Sequence, residues 1–492
     1  MHAQQPVNPV KIAPGKGNPD KQLKKIKEKK IALHSDSTGN EPKKSVKIDS
    51  TIQNKYGDLL HDDSAYNKKY PIWVPLIEVL GVNAFVWSVD RYALKADFSR
   101  VNASTWNYNI KKGWEWDADR FGINFIGHPY SGTLSFNAGR ANGYNYFQSF
   151  LFSTAGSLMW EYFGETTRPS YNDIINTPVN GAFLGEMLYR LSSNLLDDRT
   201  RGFERFSREL GAGLIDPVRG LNRILQGKTF RRTDKEVYQK EPLNVSLYGG
   251  LHVINDGKAP SQMINVQFDY GNPFEKRFRK PFDFFKLRAD LNFGVGRKTL
   301  DNITGYGILF GNNYSAGKKS FLFGAFQYYD YWDNKTFELG TIGFGPGFFS
   351  KLPLSKTSDL YTNVHLAGVP FAGNSRLSGP DTLQVRDYDF GGGLEAKFES
   401  TINMGKYATA SLVYYYYLIH TYVGAPGNNF IGILKPRITA HIYKDLSIGF
   451  EHFIYSSDRY LQNLPATHLI RTEQKIFLLF YFEDRQRKGR YN

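Results

Sequence analysis

Between residues 128 and 190 the chain gathers groups that hold charge or exchange protons: His128, Arg140, Glu161, Glu165, Arg168, Asn172, Asp173, Asn176, Glu186 and Arg190. Glu161 and Glu165 are four residues apart, so on a helix they share one face, where His128 joins them as a metal ligand or proton carrier. Read as catalysis, His128, Glu161, Glu165 and Asp173 are the acid, base or metal-binding groups. Read as structure, they join Arg140, Arg168, Asn172, Asn176, Glu186 and Arg190 in a buried polar network that holds helices together. Ser170 and Asp173 then form a capping start, and Glu186 pairs with Arg190 one turn later. Arginines close in sequence to the carboxylates favour the structural reading. No cofactor is implied and no metal is assigned.

Other chemistry is excluded more directly. With no cysteine, the chain has no thiol nucleophile, thiolate metal site or disulfide. Gly311 to Lys318 is one residue too long for a phosphate loop, and Lys319 stands where Ser or Thr is needed. Neither a G-x-S-x-G elbow nor an H-E-x-x-H zinc motif occurs. No catalytic signature is complete, so the sequence leans away from an enzyme.

The elements that carry these groups are helical. Thr177-Pro178 and Asp216-Pro217 each place a capping side chain before a proline, which predicts two helix starts. Ile72 to Val89 is apolar but interrupted by Pro75, Glu78, Gly81 and Asn83, which predicts a buried or interfacial helix. Ala141 to Trp160 runs 20 residues without a charge, yet its Asn, Gln, Ser and Thr side chains predict a helix packed inside protein. Residues 72 to 227 thus read as helical, with an extended passage around Asn124 to Phe136.

From Leu243 the period becomes two. Phe285, Leu287, Ala289, Leu291 and Phe293 alternate with Lys286, Arg288, Asp290 and Asn292, and similar alternation recurs around Phe390 to Glu399 and Leu434 to Ile442. Segments of about ten residues or more joined as hairpins fit an up-and-down barrel crossing a membrane. About twelve strands are expected, starting near 243, 262, 284, 301, 320, 335, 359, 385, 406, 429, 445 and 470. Tyr328-Tyr329-Asp330-Tyr331-Trp332 and Tyr414 to Tyr417 are expected at the aromatic girdles, and His252, His365 and His441 in a wet lumen.

The strings His128-Pro129, Phe136-Asn137-Ala138-Gly139-Arg140, Trp160-Glu161-Tyr162-Phe163-Gly164-Glu165, Pro169-Ser170-Tyr171-Asn172-Asp173, Asn176-Thr177-Pro178, Gly185-Glu186 and Tyr189-Arg190-Leu191-Ser192 carry a resemblance. Over residues 105 to 230 the chain resembles an uncharacterised bacterial outer-membrane family that joins a domain of unknown function to a C-terminal β-barrel. The resemblance implies architecture and location and brings no activity with it.

Composition completes the reading. The 492 residues carry 62 Lys plus Arg against 47 Asp plus Glu, a net +15, with 15% aromatic residues. A mean hydropathy of -0.45 argues against a bundle of spanning helices. Residues 1 to 70, with the run Lys24 to Lys30, read as a disordered basic tether that reaches lipid or a partner, not nucleic acid. Met1-His2-Ala3-Gln4-Gln5 looks like the end of a secretory signal whose apolar part is missing. The expected fold is therefore α+β: a helical domain at 71–235, serving as plug, periplasmic or interfacial unit, then an antiparallel transmembrane barrel at 240–485 and a tail at 486–492. The expected role is structural, accessory or gated transport in the Gram-negative outer membrane. Partners would be the lipid bilayer, lipopolysaccharide and other envelope proteins; the alternatives are a lipid-modifying enzyme and a passive pore.

Overall fold

The computed structural model describes residues 59–255, 259–294, 298–334, 336–375 and 388–483; the Lys24 to Lys30 run and the tail after 485 lie outside them. Seven α-helices occur among the described residues: α1 Trp73–Ser88, α2 Ala103–Lys112, α3 His128–Ala141, α4 Tyr146–Met159, α5 Tyr171–Leu195, α6 Gly202–Ile215 and α7 Pro217–Leu225. Local signals set their starts. Asn102 and Asn145 close capping boxes with Thr105 and Gln148, and the Asp216 carboxylate accepts the Arg219 amide ahead of Pro217. Ser170 caps α5 by accepting the Asp173 amide, so Thr177-Pro178 is no helix start; Pro178 lies inside α5. Residues 59–70, expected to belong to a tether, are held in place: Asp62 accepts from the Tyr189 hydroxyl and Asp63 N–H bonds to Val237 O.

The expected extended passage at Asn124 to Phe136 is helical, a π-turn at Ile123–Gly127 running into α3. Glycines account for the difference. A Cβ on Gly132 would lie 1.9 Å from the Thr177 carbonyl, and one on Gly181 would lie 2.6 Å from Gly132 C, so the backbones of α3 and α5 touch there. Small residues at such a contact let two helix backbones approach closely.

Among the described residues twelve strands form the barrel: β1 Leu243–Ile254, β2 Ser261–Tyr270, β3 Phe285–Phe293, β4 Leu300–Ala316, β5 Lys319–Asp333, β6 Glu338–Pro353, β7 Ser358–Ser375, β8 Tyr388–Met404, β9 Ala408–Val423, β10 Gly427–Tyr443, β11 Leu446–Leu461 and β12 Thr467–Phe482. Each begins within three residues of its expected start. Neighbours pair antiparallel, and β1 pairs with β12 from Val245↔Phe482 to Ile254↔Glu473, which closes the barrel. A two-residue segment, Phe278–Arg279, adds to β4.

The charged phase points into the lumen. Lys286 on β3 meets Glu399 on β8 at 2.7 Å, and Lys475 on β12 meets Asp290 on β3 at 2.8 Å. Neither pair joins adjacent strands, so both contacts cross the interior. His252 and His365 are buried there, whereas His441 is exposed.

The helical domain packs on the outward face of this wall. Leu287 and Phe285, opposite in phase to lumenal Lys286 and Arg288, share a core with Phe121, Phe125, Phe183, Met187 and Leu191. Gly340 and Gly373 are paired across β6 and β7, and the Phe125 ring fills the space above both: Cβ atoms there would lie 2.1 and 2.3 Å from it. Outward Gln327 binds the helices by accepting from the Tyr146 hydroxyl and donating to Val179 O. Tyr329 and Tyr331 are therefore covered by helices, and Tyr328 and Trp332 face the lumen, so this string is not a lipid girdle. Of the second string, Tyr415 and Tyr417 are lumenal, and Tyr414 is exposed on the outside.

Gly373→Val should expel Phe125 while leaving the lumenal ion pairs intact. Overpacking of this kind costs about 1–3 kcal/mol. Residues 73–225 should become sensitive to limited proteolysis while the barrel keeps its heat-modifiable mobility on electrophoresis; unchanged protection would refute the seat.

Candidate functional site

The ten polar residues singled out from the sequence separate into distinct groups. The first lies at the start of α3 and α5. Loop residue Glu115 forms a parallel bridge with Ser170, its N–H bonding to Pro169 O and its carbonyl accepting from Tyr171 N, both at 2.9 Å. This zipper brings Asp117 and Asp119 beside His128, whose Nε2 lies 3.4 Å from Asp119 and 3.6 Å from Asp173. Glu161 sits in a π-turn, Trp160–Gly164, and accepts the Ser170 N–H at 2.6 Å. Glu165 follows in extended conformation, so the two glutamates do not share a helix face as expected. Both nevertheless act electrostatically on each other and on His128.

An asparagine ladder holds this acid cluster. Asn172 donates to Asn124 Oδ1 at 2.8 Å, Asn180 donates to Asn176 Oδ1 at 2.7 Å, and Asn176 donates to the Asn124 carbonyl. Asn124 in turn donates to Asp117 Oδ1 at 3.1 Å and to the Tyr388 hydroxyl, so β8 of the barrel supports the cluster directly. Asp117, Asp119 and Asn124 were absent from the sequence candidates. The Asp117-Ala118-Asp119 alternation between Trp116 and Phe121 is the only local signal that marks them.

Burial pulls the His128 imidazole down, but Asp173, Asp119, Asp117 and Glu161 outweigh it and hold the ring well above its ordinary value, as imidazolium. Burial pushes the Glu161 carboxyl up to about 7 against the Ser170 N–H and His128, and pushes Asp173 well above the usual carboxylate range. Asp117 goes the other way: burial is outweighed by hydrogen bonds from Asp173, Asn124 and Asn172 and by His128. The cluster therefore sets raised carboxyl groups beside a raised imidazole, and it opens to solvent through half-exposed Asp119. Ligand atoms of Asp117, Asp119 and His128 lie within 4.8 Å of one another. Such an arrangement can store and relay protons.

The remaining candidates make ion pairs and backbone contacts away from this cluster. Glu186 is clamped by Arg140 at 2.6 Å and Arg190 at 2.8 Å, and Arg190 reaches Asp283 of the β2–β3 connection at 3.2 Å. Arg168 donates to the carbonyls of Lys112, Gly113 and Trp114 and pairs with Glu115 at 3.1 Å. No arginine is among the largest influences on the acid cluster, so the balance of charges expected from sequence holds for Glu186 alone.

A closed twelve-stranded antiparallel barrel, charged within and apolar outside, defines a membrane-spanning barrel protein. Residues 113–218, which hold the acid cluster and the Glu186 clamp, match the family model of a domain of unknown function, DUF3943. The chain thus joins this domain to a C-terminal barrel. Similar solved structures include the NanC porin (9% identity, 48% of this chain and 98% of that one, TM-score 0.28). The outer membrane channel DcaP of Acinetobacter baumannii shows 8% identity over 49% of this chain and 96% of that one, TM-score 0.22. An anion-selective porin from Comamonas acidovorans shows 8% identity over 49% and 98%, TM-score 0.23. No curated protein matches the chain.

The pH response follows from the acids. A carboxyl raised to about 7 stabilises the fold below its unfolded value of 4.5, and this stabilisation is lost as pH rises toward 7. The loss is on the order of 3 kcal/mol for Glu161. His128, raised above 6.5, loses its contribution in the same direction at higher pH. Amide exchange at 113–122 and 165–176, corrected for its intrinsic rate, should accelerate from pH 5 to pH 8. Glu161→Gln should flatten that slope, and an unchanged slope would refute the assignment.

Proposed function

We propose that this protein is an outer-membrane barrel of the Gram-negative envelope with a structural or accessory role, closed to free diffusion, its helical domain seated in lipid against the barrel wall. The observation that carries this reading is the bridging of the lumen from wall to wall. Besides Lys286–Glu399 and Lys475–Asp290, Lys397 binds Asp330 between β8 and β5, and Arg437 on β10 donates to Tyr248 on β1 at 2.9 Å. Buried cations and carboxylates paired this way strongly resist separation.

The lipid seat is supported by helices whose polarity is inverted. On α6 the exposed stripe is Phe203, Phe206, Leu210 and Leu214, while Arg205 and Glu209 turn inward to each other. On α7 Leu221, Ile224 and Leu225 are exposed, and Arg219, Asn222 and Arg223 are buried. In water such helices would roll over. On α1, extended by a π-turn to Ala93, the 21 residues are apolar enough to cross a membrane by composition, and most of their surface is outward. Outward Phe310, Phe323, Phe348 and Leu366 continue the apolar surface along the barrel.

A second reading, a lipid-modifying enzyme, is favoured by the proton-sharing cluster around His128. Glu161→Gln and Glu165→Gln, each assembled normally, should abolish an envelope phenotype under this reading and leave it intact under the structural one.

Two measurements test the main proposal. The purified chain in planar bilayers should give no stepwise current, and sustained steps would overturn the closed state. Because the chain has no cysteine, Leu214→Cys and Phe206→Cys can each carry a single spin label. In vesicles both should relax with oxygen in preference to a water-soluble nickel complex; the reverse order would place α6 in water.

A further inference from the structure

A cavity of ≈ 370 Å³ lies between the helical domain and the β2–β3 connection, at the end of α5 away from the acid cluster. Its size falls within the range of small-molecule sites. Its lining is strongly basic: Arg140, Arg190, Arg219, Arg223, Lys228 and Lys280 against the carboxylates of Asp62, Glu186 and Asp283.

The arginines divide into paired and unpaired. Arg140 and Arg190 are neutralised by Glu186 and Asp283, and Arg223 by Asp198 and Glu209. Arg219 is buried, donates to Tyr189 O at 2.7 Å and to Ser193 Oγ, and has no carboxylate within ion-pair distance among the described residues. Lys228 and Lys280 also line the cavity and make no ion pair among the described residues. Tyr189 forms the floor, with the Arg140 and Arg219 guanidiniums 4.2 and 4.0 Å from its ring centre and its hydroxyl fixed on Asp62 at 2.7 Å. Burial, followed by Arg231, Arg219 and Arg223, holds the Lys228 ammonium down to about 8 against the opposing pull of Asp62.

We infer that this cavity binds a phosphate ester, the phosphate lying among Arg219, Lys228 and Lys280. Three cations without an ion pair among the described residues line one cavity, and a phosphomonoester brings about −1.5 to −2 charge with three acceptor oxygens, where a carboxylate brings only one charge. The free guanidinium edge of a buried arginine suits such an anion. α7 lines the cavity through Arg219, Asn222 and Arg223 and exposes Leu221, Ile224 and Leu225, so the phosphate of a membrane lipid would have acyl-compatible surface on the same helix. The inference rests on the cavity side chains alone, and its failure leaves the barrel reading intact.

The test uses the full chain in detergent with phosphatidic acid as probe, followed by native mass spectrometry and thermal shift, with phosphatidylcholine as the comparison lipid. Phosphatidic acid should be retained in preference to phosphatidylcholine, and Lys228→Gln with Lys280→Gln should weaken retention about tenfold or more, as loss of charge-assisted bonds requires. Arg219→Gln should do the same, and the two lysine variants keep the test decisive if the arginine variant misfolds. Glycerol 3-phosphate or inorganic phosphate binding as tightly as the lipid, with the same loss in the variants, would support the site with a soluble ester as its source. Equal retention of both lipids with no binding of either soluble phosphate, or retention unchanged in the double lysine variant, would overturn the inference.

Discussion

In a closed barrel every strand residue faces either the lumen or the surroundings, and at Gly340 and Gly373 the outward position is bare on two adjacent strands. That gap admits one phenyl ring, Phe125, and much of the helical domain's placement depends on it. Phe125 sits in the π-turn that leads into α3, so fixing its ring fixes the start of that helix and the Asn124 side chain next to it. Asn124 then holds Asp117 and Asn172, and through them the acid cluster. The chain of dependence runs from a strand pairing without side chains to the protonation of His128.

The domain so docked departs from the usual layering of a soluble protein. Ser135, Ser149, Ser153, Ser157, Asn176 and Asn180 are buried between helices, while Phe147, Leu151, Phe203 and Leu214 are exposed. Three of these polar groups bind helices through backbone carbonyls: Ser153 to Gly132 O at 2.8 Å, Ser157 to Asp173 O at 3.3 Å, and Asn176 to Asn124 O. The barrel obeys the same logic, with ion pairs inside and Phe, Leu and Val outside. Helices and strands therefore share one apolar exterior, which is why the two halves can sit side by side.

Strands were legible in the sequence because a period of two survives whichever side is lipid: Lys286 to Asn292 gives the same alternation in any half-buried sheet. The helical domain was legible as helical, and Ser170, Asp216 and the Glu186–Arg190 pair were visible as local signals. Its location was not, since the glycines at 340 and 373 look like flexible points until a ring from 215 residues earlier in the chain (340 − 125) is placed on them. The acid cluster was half legible. Glu161, Asp173 and His128 stood out as charges among apolar residues, but Asp117 and Asp119 reach them only through the Glu115–Ser170 bridge, a contact that no local spacing records. Thr177-Pro178 misled for a physical reason: Pro178 would break a helix whose interior N–H it removed, but here the Ser170 cap had already set the start.

The two polar centres occupy opposite ends of α5, and the helix itself favours their signs. Twenty-five residues rise about 37 Å, with the positive pole of the backbone dipole at Tyr171 and the negative pole at Leu195. Carboxyl groups gather at the first end: Asp173 lies in the opening turn and Glu161 accepts the amide just before it. Cations gather toward the second, where Arg219 binds the carbonyl of Tyr189 and Arg208 that of Leu195. Carboxyl groups at the first end and guanidiniums at the second are the arrangement that the backbone dipole favours.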